Sequence, residues 1–439
     1  MAWKRNECSR VDDVTQRKVV VVGGGAAGML AAWAAAQAGA HVTLLEKMER
    51  LGTKILISGG GKCNLCHAGP MDDVRNKFRH NEANFLRNAF RVFSNDDYLQ
   101  LLTAKGLEVY TRPDGRIFPE PPADAKDVVE VMEAIVREAG VNIVLGAKIH
   151  GLLVTNDRAI GVEMDDGSRI GADALIIAVG GSSYPLTGCT GDGWKWMASL
   201  GHTIVPLTAA LAPLYLEESP NWAADWSGVS LRDCVLRARA VNAQGDKGKE
   251  RMRWRGDMLF THKGISGPVS LGVSREIAEA WPESSLAEVD LFPDMREDQL
   301  REEIDKWCLN YPRRSVGALL ESVAPARLAR PIARVAMLDM EVKGSYFIAK
   351  ARQRLVVALK GWVIGKVRAV PLERGEVVAG GVALAEVDNR TMMSRKVSGL
   401  YLCGEILDIA GPVGGYNLQA AWSTGFVAGK AAAAPPRAD

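Results

Sequence analysis

No run in this 439-residue chain approaches the ~18 consecutive apolar residues that would span a membrane. The first 18 residues are polar and mixed in charge and lack the apolar core of a secretory leader, so a cytoplasmic location with no membrane partner is expected. Charge of one sign is missing too. Lys and Arg number 54 against 52 Asp and Glu, a net of +2, so bulk charge makes no demand for nucleic acid. Seven cysteines (Cys8, Cys63, Cys66, Cys189, Cys234, Cys308, Cys403) are odd in number and scattered, which suits reduced thiols better than a disulfide framework. There is no internal repeat, and no low-complexity segment beyond the tail AAAAPPRAD, which reads as frayed. With 47% hydrophobic and 24% charged residues the chain is an ordinary globular one, long enough for two or three domains.

What is present is concentrated near the two ends. VVVVGGGAAG at 19–28 is a buried parallel strand that turns through Gly23, Gly25 and Gly28 into an Ala-rich helix. The free N–H groups and dipole of such a helix hold a pyrophosphate. Gly25 offers no Cβ to block it, and Gly28 lets helix approach strand. An acid that takes the ribose hydroxyls should end the second strand about 20 residues on, and Glu46 of VTLLEK stands there, followed by Lys47. Glycine turns also arise from packing alone, but here strand, glycines, helix, second strand and acid fall in order. Ala26 and Ala27, in the first helical turn, join the expected contacts.

The nucleotide fold is then interrupted. DAKDVVEVMEAIVREAG at 124–140 has helical spacing with a glycine stop, and 141–155, 159–164 and 172–181 read as strands. The first two strands flank a polar turn, forming a meander of the kind that covers an adenine, with Ile149 in it. The last returns to the parallel sheet and ends at Gly180 and Gly181. Past residue 207, Trp222, Trp226, Trp254, VLRARAVNA and turns at Gly245 and Gly248 indicate a β-rich unit. The segments 293–309 and 315–337 read as helical, with Pro325 and Pro331 breaking the second. The expected division is a polar extension at 1–18, a discontinuous nucleotide domain at 19–207 and 370–439, and an inserted substrate domain at 208–369 whose helical part covers about 294–340.

SGGGKCN at 58–64, GGSSYPLTGCTGDG at 180–193, DMLFTHKGISGP at 257–268, and AGGVALAEVDNRTM running into GLYLCGEILDIAGPVGGYNLQAAWSTG resemble the BaiN/YhiN-like family of bacterial FAD-dependent oxidoreductases (aminoacetone oxidase family FAD-binding enzymes). The resemblance spans roughly residues 19–430. It implies an α/β fold, a discontinuous glutathione-reductase-like FAD-binding Rossmann domain with an inserted β-barrel-like domain carrying a small helical subdomain. It implies FAD as cofactor. The activities it implies vary: reduction of conjugated C=C bonds in steroid-like substrates, oxidation of aminoacetone, and reduction of uridine in ribosomal RNA.

On that footing the cofactor contacts extend to Lys54, to Ser58, Gly59, Gly60, Gly61, Lys62, Cys63 and Asn64 of the glycine loop, and to Gly404, Glu405, Asp408, Gly414, Gly415, Tyr416, Asn417 and Gln419 of the closing motif. Consecutive glycines let backbone approach a flat ring, and Lys62 would complement negative charge. A helix N-terminus aimed at the ring would do the same. Cys63 is the candidate ring neighbour or proton donor, with His262 and Tyr184 as further catalytic candidates. Cys63-x-x-Cys66 invites a redox-disulfide reading, but its loop context offers neither helix N-terminus nor cation to lower a thiol pKa. Family sequences usually carry a hydroxyl residue in place of Cys66. Zinc through Cys63, Cys66 and His67 lacks a fourth ligand, so no metal is expected.

No second strand-GxGxxG-helix unit exists, so no separate NAD(P)H domain is built; Gly188, Gly191 and Gly193 read as loop. A nicotinamide donor must therefore visit the flavin transiently. The leading expectation is a reductase passing hydride from NAD(P)H through flavin N5 to an activated C=C bond. The alternatives are an amine oxidase of aminoacetone type making hydrogen peroxide, a reductase of uridine in ribosomal RNA, and a non-catalytic flavin-binding protein. For RNA as partner, Lys247, Lys249, Arg251, Arg253 and Arg255 around Trp254 alternate on a strand period, although a solvated hairpin edge explains such runs more often.

Overall fold

The computed structural model describes residues 16–217, 226–242 and 244–435. Most of the polar extension, Cys8, Trp222 and the last four residues of the tail lie outside them.

A five-stranded parallel sheet forms the first core. Its order is Leu400–Leu402, Ala174–Ile177, Lys18–Val22, His41–Leu45 and Asn142–Val144. These strands are continuous apolar runs because helices cover both faces of the sheet. The helix Ala26–Gln37 follows the glycine turn and lies against the closing helix Tyr416–Ala433. Their approach depends on missing side chains. A Cβ on Gly425 would stand 2.2 Å from the Ala27 carbonyl oxygen, and one on Gly429 2.1 Å from that of Ala31. The N- and C-terminal motifs are thus joined by direct backbone contact. The closing helix also absorbs the first three alanines of the tail read as frayed.

The helix Ala125–Glu138 starts where its sequence indicates, with the Asp124 carboxylate accepting from the Lys126 N–H at 2.7 Å and Asp127 bonding back to the Asp124 N–H. The run 141–155 departs from the expectation of one strand. It splits into Asn142–Val144, the edge of the parallel sheet, and Ile149–Thr155, which opens the meander. Left-handed Gly146 sits in the turn between them, and its amide and that of Ala147 bond to the carbonyls of Met48 and Glu46. The meander's third strand is Arg169–Gly171, ahead of the sheet strand Ala174–Ile177. Gly191 and Gly193 belong to a helix start rather than to loop alone, for left-handed Gly191 caps Asp192–Ser199.

Six strands close a barrel in the order Leu214–Leu216, Gly264–Ser266, Lys247–Phe260, Ser230–Val241, Ser285–Asp290, Trp362–Ala369. Phe260 and Trp362 fill its interior beside Trp226. Helices Glu297–Asn310, Val316–Val323, Ala326–Val335 and Ala349–Lys360 lie between its last two strands. The helical part therefore runs past 340, where Leu355, Val356 and Leu359 bury a further apolar face. Pro325 separates two of these helices as expected, but Pro331 is accommodated inside one.

The chain leaves the parallel-sheet unit and returns to it through a two-stranded antiparallel ribbon, Ile204–Ala210 with Val377–Val382, which straddles the boundaries expected at 207 and 370. A second tie joins the helix Pro268–Glu279 to His80–Val92. Arg275 bonds Glu82 at 2.8 Å and the Ala410 carbonyl at 2.7 Å, and Arg79 bonds Glu276 and Glu279. These ties fix the seam between the two cores.

Near the ribbon, buried His202 stands 3.0 Å from Glu386 and 2.8 Å from the Ser394 hydroxyl. Burial pushes the His202 pKa down. Desolvation acts upward on Glu386, but Lys396, Thr203 and His202 outweigh it and hold the carboxyl at about 2. Both groups have folded pKa values below their unfolded ones, so their contribution is present at neutral pH and lost on acidification. For Glu386 the loss falls between about 4.5 and about 2. We expect the urea midpoint to drop across that window, and to drop less in Glu386→Gln.

Candidate flavin site and family

One cavity of about 780 Å³ runs from the glycine turn to the seam. At its first end lie Gly23, Gly25, Ala26, Ala27, Glu46, Lys47, Lys148, Ile149 and Asp165. A Cβ on Gly25 would meet nothing within 4 Å, so the N-terminus of the first helix stands bare to the cavity. One on Gly28 would fall 1.8 Å from the Gly23 carbonyl oxygen, which makes Gly28 a packing residue and not a wall residue. Gly24, which the motif leaves free, is constrained as well, since its Cβ would strike Leu51 at 2.3 Å. The Glu46 carboxylate accepts from the Gly24 N–H at 2.6 Å and the Met48 N–H at 2.9 Å. It thereby clamps the turn to the second strand while still facing the cavity. Lys47 reaches Thr190 at 2.6 Å and Asp192 at 3.2 Å.

At the other end two glycine-rich segments face one another. Ser58, Gly59, Gly60 and Asn64 line the wall, with Gly59 and Gly60 left-handed. Opposite are Gly404, Gly414, Gly415 and Asn417, and Gly415 is the N-cap of the closing helix. Asn64 links the two: in the orientation that satisfies both amide atoms it accepts from the Gly415 N–H at 2.9 Å and donates to the Cys66 carbonyl. Gly415 has no room for a side chain, as its Cβ would lie 2.5 Å from the Cys66 carbonyl. Between the ends, the Lys54 ammonium donates to Glu405 and to the Ser183 hydroxyl, both at 2.7 Å, and Glu405 also accepts from the Val378 N–H. Burial acts to lower the Lys54 pKa, but Glu405 outweighs it and the pKa is raised, so the ammonium stays charged. Gly180 lines this stretch, whereas Gly181 lies behind it against Glu405.

Several expected contacts are placed elsewhere. Lys62 is exposed and, with Gly61, absent from the wall, because the left-handed turn at 59–61 directs that side of the loop outward. Cys63 is fully buried behind the loop. Asp408 is turned to the Gly380 N–H at 3.1 Å. Tyr416 stacks on His67, and Gln419 bonds Ser423 inside the core. His262 is exposed in the turn between two barrel strands and does not reach the cavity. Of the three catalytic candidates only Tyr184 lines the cavity, in a left-handed conformation (φ 50°).

Burial raises the Cys63 thiol to about 12 and Cys66 still higher, and neither is disulfide-bonded. Such thiols are inert at neutral pH. Cys66→Ser should leave turnover unchanged, and pretreatment with a thiol-alkylating reagent should do no more; loss of activity in either would restore the redox reading. Among the described residues no three His, Cys, Asp or Glu side chains are grouped to hold a metal. No helix of the described residues is long and apolar enough to cross a membrane.

Residues that the sequence reading did not single out complete the wall. Arg112 lies 4.1 Å over the Phe118 ring beside the glycine loop. Leu211, Pro268, Leu271, Glu376 and Val413 form the end at the seam. Pro268 and Val413 lie in the motif segments 257–268 and 399–425, whereas the positions of Leu211, Leu271 and Glu376 depend on how the barrel docks, which no local pattern encodes. Cys189, Thr190 and Asp192 do lie in the segment 180–193 and were findable from it.

A bare helix N-terminus with a ribose-side acid at one end, and a glycine loop facing a second helix N-terminus at the other, fit the two ends of FAD. The class so defined is that of the FAD-dependent oxidoreductases. The chain belongs to the HI0933-like family: the model of the HI0933-like protein Rossmann domain matches residues 17–431. It is 32% identical over 423 residues to the 3-dehydro-bile acid delta(4,6)-reductase of Clostridium scindens, covering 95% of this chain and 100% of the relative. It is 28% identical to the ribosomal RNA dihydrouridine synthase of Haemophilus influenzae, covering 93% and 96%. In fold it is similar to the 3-ketosteroid-delta4-(5alpha)-dehydrogenase from Rhodococcus jostii RHA1 (TM-score 0.50, 14% identity, 97% of this chain and 99% of that one).

Proposed function

We propose that this protein reduces a C=C bond conjugated to a carbonyl group in a small, largely apolar molecule, using NAD(P)H as a transient donor. Bound FAD supplies two electrons as hydride. The observation that carries the reading is the continuity of one cavity from the dinucleotide glycines to a seam walled by Leu211, Pro268, Leu271 and Val413. Those side chains exclude water and fit an apolar skeleton. Around the cofactor, Gly25 and its neighbours would hold phosphate through free N–H groups, and Lys54 is held in place by Glu405 and Ser183. Relatives' names support the reaction class, since a delta(4,6)-reductase and a dihydrouridine synthase both add two hydrogens across a C=C bond conjugated to a carbonyl. A cytoplasmic setting, where reduced nicotinamide is at hand, suits this reading.

The RNA alternative rests on the 28% identical dihydrouridine synthase of Haemophilus influenzae, and the basic strand gives it little help. Lys247 pairs with Glu288, Arg251 with Glu283, Arg253 with Glu250, and Arg255 with both Asp233 and Asp294. These four cations complete barrel ion pairs, which leaves exposed Lys249 as the one member of the stretch without an ion pair among the described residues. We expect Arg253→Ala/Arg255→Ala to leave flavin reduction and any RNA affinity unchanged; a large selective loss of RNA binding in gel shifts would favour the RNA reading.

The test of the reading is product analysis. Holoprotein with NADH or NADPH and a panel of 4-en-3-one steroids, simple enones, aminoacetone and uridine-containing RNA should give a product heavier by two hydrogens from an enone. Peroxide from aminoacetone with no enone product would overturn it.

A further inference from the structure

The return crossing from the barrel brings one carboxylate to the seam. The Glu376 N–H donates to the Leu211 carbonyl at 3.0 Å, so the outward and return crossings are stitched together there. Its carbonyl lies 3.4 Å from the Ser183 hydroxyl, which itself receives the Lys54 ammonium. The side chain of Glu376 lines the cavity next to Val377 and is accessible from it. Among the described residues it has no hydrogen-bond or ion-pair partner. Of the other carboxylates on the cavity wall, Glu46, Glu405 and Asp192 are engaged by named N–H or cationic groups, and Asp165 stands 3.8 Å from His150 at the far end.

We propose, on the C=C-reductase reading above, that Glu376 is the acid of the reaction, a catalytic residue whose carboxyl O–H gives its proton to the substrate carbon next to the carbonyl group. The step balances as follows. With FAD bound, the hydride it would supply, its electrons coming from NAD(P)H, would form the C–H bond at the far carbon. The π pair of the C=C bond then takes the Glu376 proton at the near carbon. The substrate gains two electrons and two hydrogens, and the carboxylate left behind is reprotonated by water on product release.

The surroundings suit this role. The charged or titratable groups facing Glu376 are Lys54, whose ammonium is already committed to Glu405 and Ser183, the Tyr184 phenol in the loop that follows the sheet strand Ala174–Ile177, and Cys189 behind Lys54; Arg374 is on its own segment and exposed. Glu376 is exposed toward the cavity, yet the protein packed around the carboxyl desolvates it enough to raise its pKa; Lys54 offsets only part of the rise, and the net direction is up. A proton is therefore retained to higher pH than on an ordinary glutamate. Burial also raises Tyr184 and Cys189, keeping both neutral.

The experiment compares wild type, Glu376→Gln, Glu376→Asp and Tyr184→Phe as holoproteins across pH. Wild-type kcat should be high at low pH and fall as pH rises through the Glu376 pKa, because the acid must be protonated. Glu376→Gln should lower kcat by about 10²- to 10⁴-fold and abolish that limb. KM, enone affinity measured by the flavin difference spectrum of the oxidised protein, and the rate of flavin bleaching by NAD(P)H should all stay near wild type. Glu376→Asp should retain part of the rate and the limb, which excludes misfolding as the cause. If Glu376→Gln turns over within a few-fold of wild type, or if the limb vanishes in Tyr184→Phe instead, Glu376 is not the acid although the protein is still a reductase. If wild type forms no saturated product from any enone, both readings fall together.

Discussion

A Gly25→Ala protein will fold like wild type and purify depleted of flavin. The new methyl meets no protein atom within 4 Å, so the protein should melt at the temperature of the wild-type apoprotein, below that of the flavin-loaded wild type, and the better helix propensity of Ala over Gly does no harm at the cap. The methyl instead enters the space where the pyrophosphate must touch the N–H groups of the first helical turn. Loss of close backbone approach should weaken FAD by tenfold or more, which is about 1.4 kcal/mol or more. Gly28→Ala should behave differently. Its methyl lands 1.8 Å from the Gly23 carbonyl oxygen, so the turn must open, and fold and flavin should be lost together despite the roughly 1 kcal/mol that Ala gains over Gly in a helix. Flavin content and melting temperature of the two proteins, side by side, separate cofactor contact from packing.

The second large effect is expected at Lys54. Lys54→Met removes the only cation paired with Glu405 among the described residues and leaves its carboxylate, mostly covered, with the Val378 N–H. Breaking a largely buried pair on one side should cost on the order of 3 kcal/mol. Lys54→Met/Glu405→Gln should recover most of that loss, because no uncompensated charge remains. Urea unfolding of both singles and the double closes the cycle. If the double is as unstable as the single, the pair acts through packing and not through charge.

The ends of the site were legible because local sequence determines them. The valines at 19–22, the glycine turn and Glu46 form one unit of strand, turn, helix and strand, and each residue type has a steric or electrostatic reason confined to its neighbours. The closing motif was legible through its glycines and its helix start. Side-chain direction within a motif was not. Lys62 and Cys63 occupy the same glycine loop as Asn64, yet one points to solvent, one to the core and one to Gly415, since three consecutive left-handed glycines rotate each in turn. Asp408 and Gln419 satisfy internal partners that lie far away in sequence or inside the closing helix. His262 was drawn in by its motif, whereas the barrel topology leaves it on an outer turn. Glu376 had no motif at all. Its place depends on two crossings meeting at Leu211, a long-range event that neither period nor composition records.

The central claim is that a flavin site opens onto a pocket for a C=C bond conjugated to a carbonyl. Anaerobic stopped-flow tests it most directly. Protein bleached with one equivalent of NADH or NADPH is mixed with a conjugated enone, its saturated ketone, or an isolated alkene. The account predicts rapid return of the yellow oxidised spectrum with the enone alone. Failure of every enone to restore the colour, with oxygen restoring it quickly after bleaching by a small amine, would contradict it.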